Sequence, residues 1–147
     1  MSYQEKKSLL HLMSGILIPG VYFWIILSGN PLEGLTTDEL LYFWARSILI
    51  LIPITIVIHI IGAIVFGIGN AIITREKPPA ADERDKLIEL KSMRNARYMF
   101  GAGCVFGLIA LTMGMSVNVW FALFIVFSAL SQAIESISQL YFYRNGI

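Results

Sequence analysis

The chain has 147 residues, 56% of them hydrophobic and only 14% charged, with a mean hydropathy of +0.71 and a formal net charge of +1. A soluble domain carries roughly a quarter of its residues as charges, so this composition excludes a water-soluble globule. The single cysteine, Cys104, leaves no intrachain disulfide and no thiolate metal cluster, and no basic stripe interleaved with aromatics points to nucleic acid.

Four runs are nearly free of charge and approach the ~20 residues that cross a ~30 Å hydrocarbon core. The first covers about 8–28 and ends in the turn-rich Gly29-Asn30-Pro31, with Pro19 and Gly20 expected to bend it. Lys6 and Lys7 before it resemble the basic start of a signal peptide. However, Leu9 to Ser28 is longer than the apolar part of such a peptide and no small-x-small cleavage site follows, which predicts a retained span.

Thr36 and Glu39 form a T-x-x-E capping box, so the second helix starts before its apolar part. Tyr42, Phe43 and Trp44 follow at an interfacial position, and the second span, about 44–72, is long enough to require tilt or a kink at Pro53. Glu76 to Pro79 breaks the chain. Asp82, Glu83 and Asp85 then crowd the first turn of a new helix, where the positive end of the helix dipole favours acids. Nothing stops this helix before Gly101, which predicts a rod running from a cytoplasmic segment, about 82–97, into a third span, about 96–114. Met115 to Asn118 is expected to turn tightly into a fourth span, about 119–143, closed by Tyr141, Phe142, Tyr143 and Arg144.

The basic residues set the expected orientation. Lys6 and Lys7 precede span one; Arg75, Lys77, Arg84, Lys86, Lys91, Arg94 and Arg97 lie between spans two and three; Arg144 follows span four. The other side has only Arg46, near the acids Glu33, Asp38 and Glu39. The positive-inside rule then places both termini and the central segment in the cytoplasm. The expectation is one all-α membrane domain over 1–147, a four-transmembrane-helix bundle with a cytoplasmic extension of its third helix, in a bacterial inner membrane. The two hairpins share no alignable pattern, so an inverted-repeat transporter has no support.

Glu135 is the residue most open to a chemical role, because an intramembrane carboxylate is costly unless it is paired or used. Ser128, Ser131, Gln132, Ser138 and Gln139 share its side of the fourth span, a polar stripe expected to face the bundle. The structural alternative is that Glu135 pairs with an inward-reaching Arg97 or Arg94. His59, at a similar expected depth, makes a proton-holding pair with Glu135 or packs by a hydrogen bond across helices. His11 is expected nearer the inner end, and that difference in depth speaks against a haem iron shared with His59.

In the segment from Asp82 to Leu90, Asp82 and Glu83 pair with Lys86 at helical spacing. Asp82, Asp85 and Glu89 share a face that is poor in ligands for a divalent cation. Leu87, Leu90 and Arg94 form another face, which together with Asp82, Glu83, Arg84 and Asp85 makes a surface for a cytoplasmic protein partner. Gly103 and Gly107 form G-x-x-x-G, and Ala63 and Gly67 a small-x-x-x-small pair, for helix packing inside the bundle or for dimerisation. No nucleophile, phosphate-loop or zinc motif occurs, which predicts no catalytic residues, no cofactor, no metal site and no enzyme.

Tyr3-Gln4-Glu5-Lys6, Val21-Tyr22-Phe23-Trp24, His59, Asp82-Glu83-Arg84-Asp85 and the terminal run Tyr143 to Gly146 together resemble a family of small four-span bacterial membrane proteins of no assigned activity. Members are often encoded beside helix-turn-helix regulators, so the resemblance implies a sensing or regulatory role. It assigns none to Glu135. The leading expectation is a non-enzymatic interaction or regulatory module, homo-oligomeric and surrounded by membrane lipids. The rival is a small proton- or ion-coupled transporter or channel subunit that uses the polar stripe of the fourth span.

Overall fold

A computed structural model describes residues 3–30, 32–74 and 82–146. Pro31, the expected break at Glu76 to Pro79, and the basic Arg75 and Lys77 lie outside these residues. The described chain is all-α, with four helices: α1 (Tyr3–Gly29), α2 (Thr37–Thr74), α3 (Glu83–Thr112) and α4 (Val117–Asn145). α1, α2 and α4 are each long and apolar enough to cross a membrane. α3 is mixed, because the apolar part after Arg97 runs only from Tyr98 to Thr112, about 22 Å at 1.5 Å per residue.

Local chemistry explains where the helices begin. Glu39 Oε2 accepts from the Thr36 backbone N–H at 2.8 Å, and the Glu39 N–H donates to Thr36 Oγ1 at 3.4 Å, so the expected capping box opens α2. Asp82 and Asp85 form a second reciprocal cap, with Asp85 N–H donating to Asp82 Oδ1 at 2.7 Å and Asp82 N–H to Asp85 Oδ2 at 3.2 Å. The acids of that first turn therefore satisfy orphan backbone donors as well as the dipole. α3 runs unbroken to Thr112, as the absence of breakers predicts. The turn into α4 comes two residues earlier than expected: Met113 caps α3, Ser116 precedes α4, and the reversal passes through Gly114 at φ +76°. The apolar methionines on both sides of Gly114 hide that turn in a reading by hydropathy. Pro19 and Pro53 both lie within continuous helix.

α4 is the hub. It packs along α3 and along α1, both antiparallel to it, and touches α2; α1 and α2 also pack antiparallel. The backbones of α2 and α3 do not come together, nor do those of α1 and α3. The bundle is therefore open, with α4 the only helix whose backbone packs on α3 among the described residues; a crevice separates α1 from α3, bridged where Gln4 Nε2 donates to Asp85 Oδ2 at 3.2 Å.

Close approach of α3 to α4 depends on Gly103 and Gly107. A Cβ at Gly103 would run into the Phe127 side chain, and one at Gly107 would lie 3.0 Å from the Trp120 ring. The G-x-x-x-G pattern thus serves packing within the chain. Ala63 is exposed and a Cβ at Gly67 would meet nothing within 4 Å, so the second small pair lies on an open face of α2.

Ile88 and Ser92, the most deeply buried side chains, lie on the terminal half of α3, whereas the buried aromatic side chains gather at the end away from the termini. There Phe23, Trp44 and Phe121 form one aromatic layer, with Trp44 stacked on Phe121 at 5.5 Å and Trp44 Nε1 donating to Asn118 Oδ1 at 2.8 Å. Tyr22 closes its flank by donating to the Ser47 carbonyl at 2.7 Å. Most other large apolar residues face outward, Trp24 and Leu49 among them, the inside-out pattern a lipid solvent permits.

Candidate functional site

At the end that carries the termini, the crevice between α1 and α3 becomes a cavity of about 250 Å³. Its floor is α4, which contributes Gln132, Glu135, Ser136, Gln139 and Tyr143. One wall is α1, through Gln4, Lys7, Ser8 and His11, and the other is α3, through Asp85 and Glu89. Three carboxylates thus face one ammonium. Lys7 and Glu89 are exposed, so the cavity reaches the surface.

Helical spacing builds this lining. Along α4 the polar stripe divides between its two neighbours. Ser131 Oγ donates to the Ala96 carbonyl of α3 at 2.8 Å, and Ser138 Oγ accepts from Asn95 Nδ2 at 3.2 Å. On the α1 side, Gln139 Oε1 accepts from Ser8 Oγ at 2.8 Å, and Gln132 lies against Gly15, with Oε1 2.7 Å from where a Cβ would be. Glu135 falls between the two rows and projects into the cavity, as the expectation of a bundle-facing stripe requires. Ser128 turns back on its own helix, bonding the Phe124 carbonyl at 2.7 Å.

Glu135 has no hydrogen bond or ion pair to any described residue, and Arg94 and Arg97 are both exposed. The expected pairing of Glu135 with either arginine is therefore corrected. Lys7 is the only cation on the cavity wall among the described residues, and Arg97 lies on the outer surface of α3 at the start of its apolar part. Arg144 instead reaches Glu5, at 3.5 Å.

His11 also lines a second, largely apolar cavity of about 160 Å³ between α1 and α2, with Tyr3, Leu10, Ile58, His59 and Phe66. Its ring stacks on that of His59, centroids 5.5 Å apart and planes 15° from parallel. The expected difference in depth between the histidines is thus overturned. α2 continues fifteen residues past His59 to Thr74, whereas α1 begins eight residues before His11 at Tyr3, so α2 overhangs by roughly 10 Å. The rings face each other rather than converging on one point.

His59 Nδ1 lies 2.8 Å from the Thr55 carbonyl, an acceptor only, so Nδ1 carries the hydrogen. Nε2 lies 3.2 Å from Ser14 Oγ, which is also 3.2 Å from the His11 carbonyl. Ser14 Oγ thus stands between His59 Nε2 and the His11 carbonyl and links α1 to α2.

A third cavity, about 300 Å³, lies among α1, α2 and α4 between Gln132 and Phe23. Ile52, Ile56, Phe124 and Ile125 line it, with Thr55 and Ser128 as its polar members. Gln132 belongs to this cavity and to the acidic one, as His11 belongs to the acidic one and the α1/α2 cleft.

The chain matches no protein-family model, no curated protein and no solved structure.

Of the residues singled out in the sequence, Glu135, Gln132 and Gln139 meet in the acidic cavity, His59 lies one wall away behind His11, and Arg97 is elsewhere. The surface proposed for a partner divides. Asp82 caps α3, Asp85 turns into the cavity, and Glu83, Arg84, Leu87, Leu90 and Arg94 point outward, with Leu87 51% and Leu90 62% exposed. Among the described residues, no three His, Cys, Asp or Glu side chains are grouped so as to hold a metal. The α1 wall was missed. Its signal was present as Gln4, Lys7, Ser8, His11 and Ser14, polar residues at three- and four-residue spacing along an apolar helix.

Proposed function

We propose that this protein is a small cation-coupled carrier of a bacterial inner membrane, not an enzyme, in which Glu135 is the coupling carboxylate. In this reading the apolar half of α3 completes a fourth crossing beside α4, and both termini lie on the cytoplasmic side, where the basic residues concentrate. The observation that carries it is the layer formed by Glu135 of α4, His11 of α1 and His59 of α2 beside an acidic cavity that reaches the surface at the terminal end. At the other end Phe23, Trp44 and Phe121 close the structure. A cavity open at one end and shut by packed aromatics at the other has the form of one state of an alternating carrier. Glu135, free of protein partners among the described residues, is available to a proton or a solute.

The test is flux. In proteoliposomes holding a pH-sensitive dye, a potassium diffusion potential should drive proton entry through the wild type and through Arg97→Gln, but not through Glu135→Gln. Equal flux through Glu135→Gln and the wild type would remove the carrier reading.

One observation favours a second reading. Leu87 and Leu90 are exposed on the charged half of α3, which suits a regulatory module docking a cytoplasmic protein there.

A further inference from the structure

We infer that the ligand of this site is a hydrophobic organic cation, a quaternary ammonium or phosphonium bearing apolar groups. The inference rests on the carrier reading above and adds the class of solute. Three features select that class. Among the described residues, the acidic cavity sets Asp85, which accepts from Gln4 Nε2 at 3.2 Å, with Glu89 and Glu135 against Lys7 alone, an imbalance that favours a cation. Its ~250 Å³ is far larger than a dehydrated inorganic ion, whose share of a site is nearer the ~30 Å³ of one water. No three ligating side chains are grouped for a metal among the described residues, so the geometry fits a diffuse charge better than a point charge.

The third feature is what adjoins the acids. Gln132 divides the acidic cavity from the apolar one of about 300 Å³ lined by Ile52, Ile56 and Phe124. Its side chain lies over Gly15, where the lack of a Cβ gives it room. A ligand with a delocalised charge places that charge near Glu135 and its apolar groups beyond Gln132, against Phe124 and the outward-facing Ile52 and Ile56. His11 borders the charge from the α1 wall, and a cation without N–H donors makes no demand on hydrogen-bond acceptors. A small hydrated cation would leave the apolar compartment empty and gain nothing from it.

The experiment is equilibrium dialysis of radiolabelled tetraphenylphosphonium against the purified full-length protein in mild detergent. Saturable binding is expected, competed by benzalkonium and not by tetramethylammonium, which carries the charge without the apolar groups. Glu135→Gln should weaken it about tenfold or more, the loss of one facing charge in a half-desolvated site; Arg97→Gln should leave it unchanged. Should Glu135→Gln not run as a monodisperse species, Asp85→Asn combined with Glu89→Gln is expected to weaken binding in the same direction. No saturable binding, or equal competition by tetramethylammonium, overturns the inference. If proton flux still depends on Glu135 in that case, the carrier reading stands without it; if flux fails as well, both fall.

Discussion

A carboxylate that shares a cavity with Asp85 and Glu89 repels its neighbours more than it holds the helices together. Glu135→Gln removes that repulsion while keeping the shape of the side chain, so the variant should melt at a higher temperature than the wild type in detergent. Scanning fluorimetry decides it: a lower melting temperature would mean that Glu135 is a structural partner after all. Gln139 behaves in the opposite way, because it accepts from buried Ser8, and removing an acceptor strands that donor. The stripe is thus divided residue by residue between groups that join helices and one group left for a ligand. The stripe itself could be read from the sequence, since three- and four-residue spacing fixes a face. Its division could not, because that depends on which neighbour stands on each side of α4.

Among the helices, the pairing of α3 with α4 is the tightest interface, and it is set by two glycines. Gly103→Ala should destabilise the protein by about 1–3 kcal/mol, the usual cost of forcing an extra carbon into a packed interface, whereas Gly67→Ala on the open face of α2 should be near neutral. Melting temperatures of the two variants check this, and equal effects would show that α3 and α4 do not pack as described. Both helix starts were legible because a cap is local: Thr36 with Glu39 and Asp82 with the following acids lie within one turn. The overhang of α2 was not, because hydropathy records how much of a helix is apolar and not where it stands beside its partner. For the same reason His11 was expected at a different depth from His59. Lys6 and Lys7 read as an orientation signal, and the wall formed by Lys7, Ser8 and His11 emerges only once α4 is placed beside it.

At the scale of the molecule, all four helices present an end to the terminal side, and the cavity, the N-terminal cap of α3 and most of the basic residues are found there. If that side is cytoplasmic, a cysteine at Gly34 and one at Glu83 lie on opposite faces of the membrane. In a Cys104→Ala background, a membrane-impermeant maleimide should label Gly34→Cys on intact cells, and Glu83→Cys only after permeabilisation. The reverse pattern would invert the orientation and turn the cavity outward.

The central place of α4 also bears on how the protein is made. Chains leave the ribosome from the N-terminus, so the helix against which the other three pack is made after all three of them. Until Val117 onward emerges, α1 and α2 have only their own sparse contacts, and α3 has no helix backbone packed on it among the described helices. Maturation therefore waits on the final hairpin. A chain that stops short of α4 leaves three helices in the bilayer with little to hold them together, a form that membrane quality-control proteases can recognise.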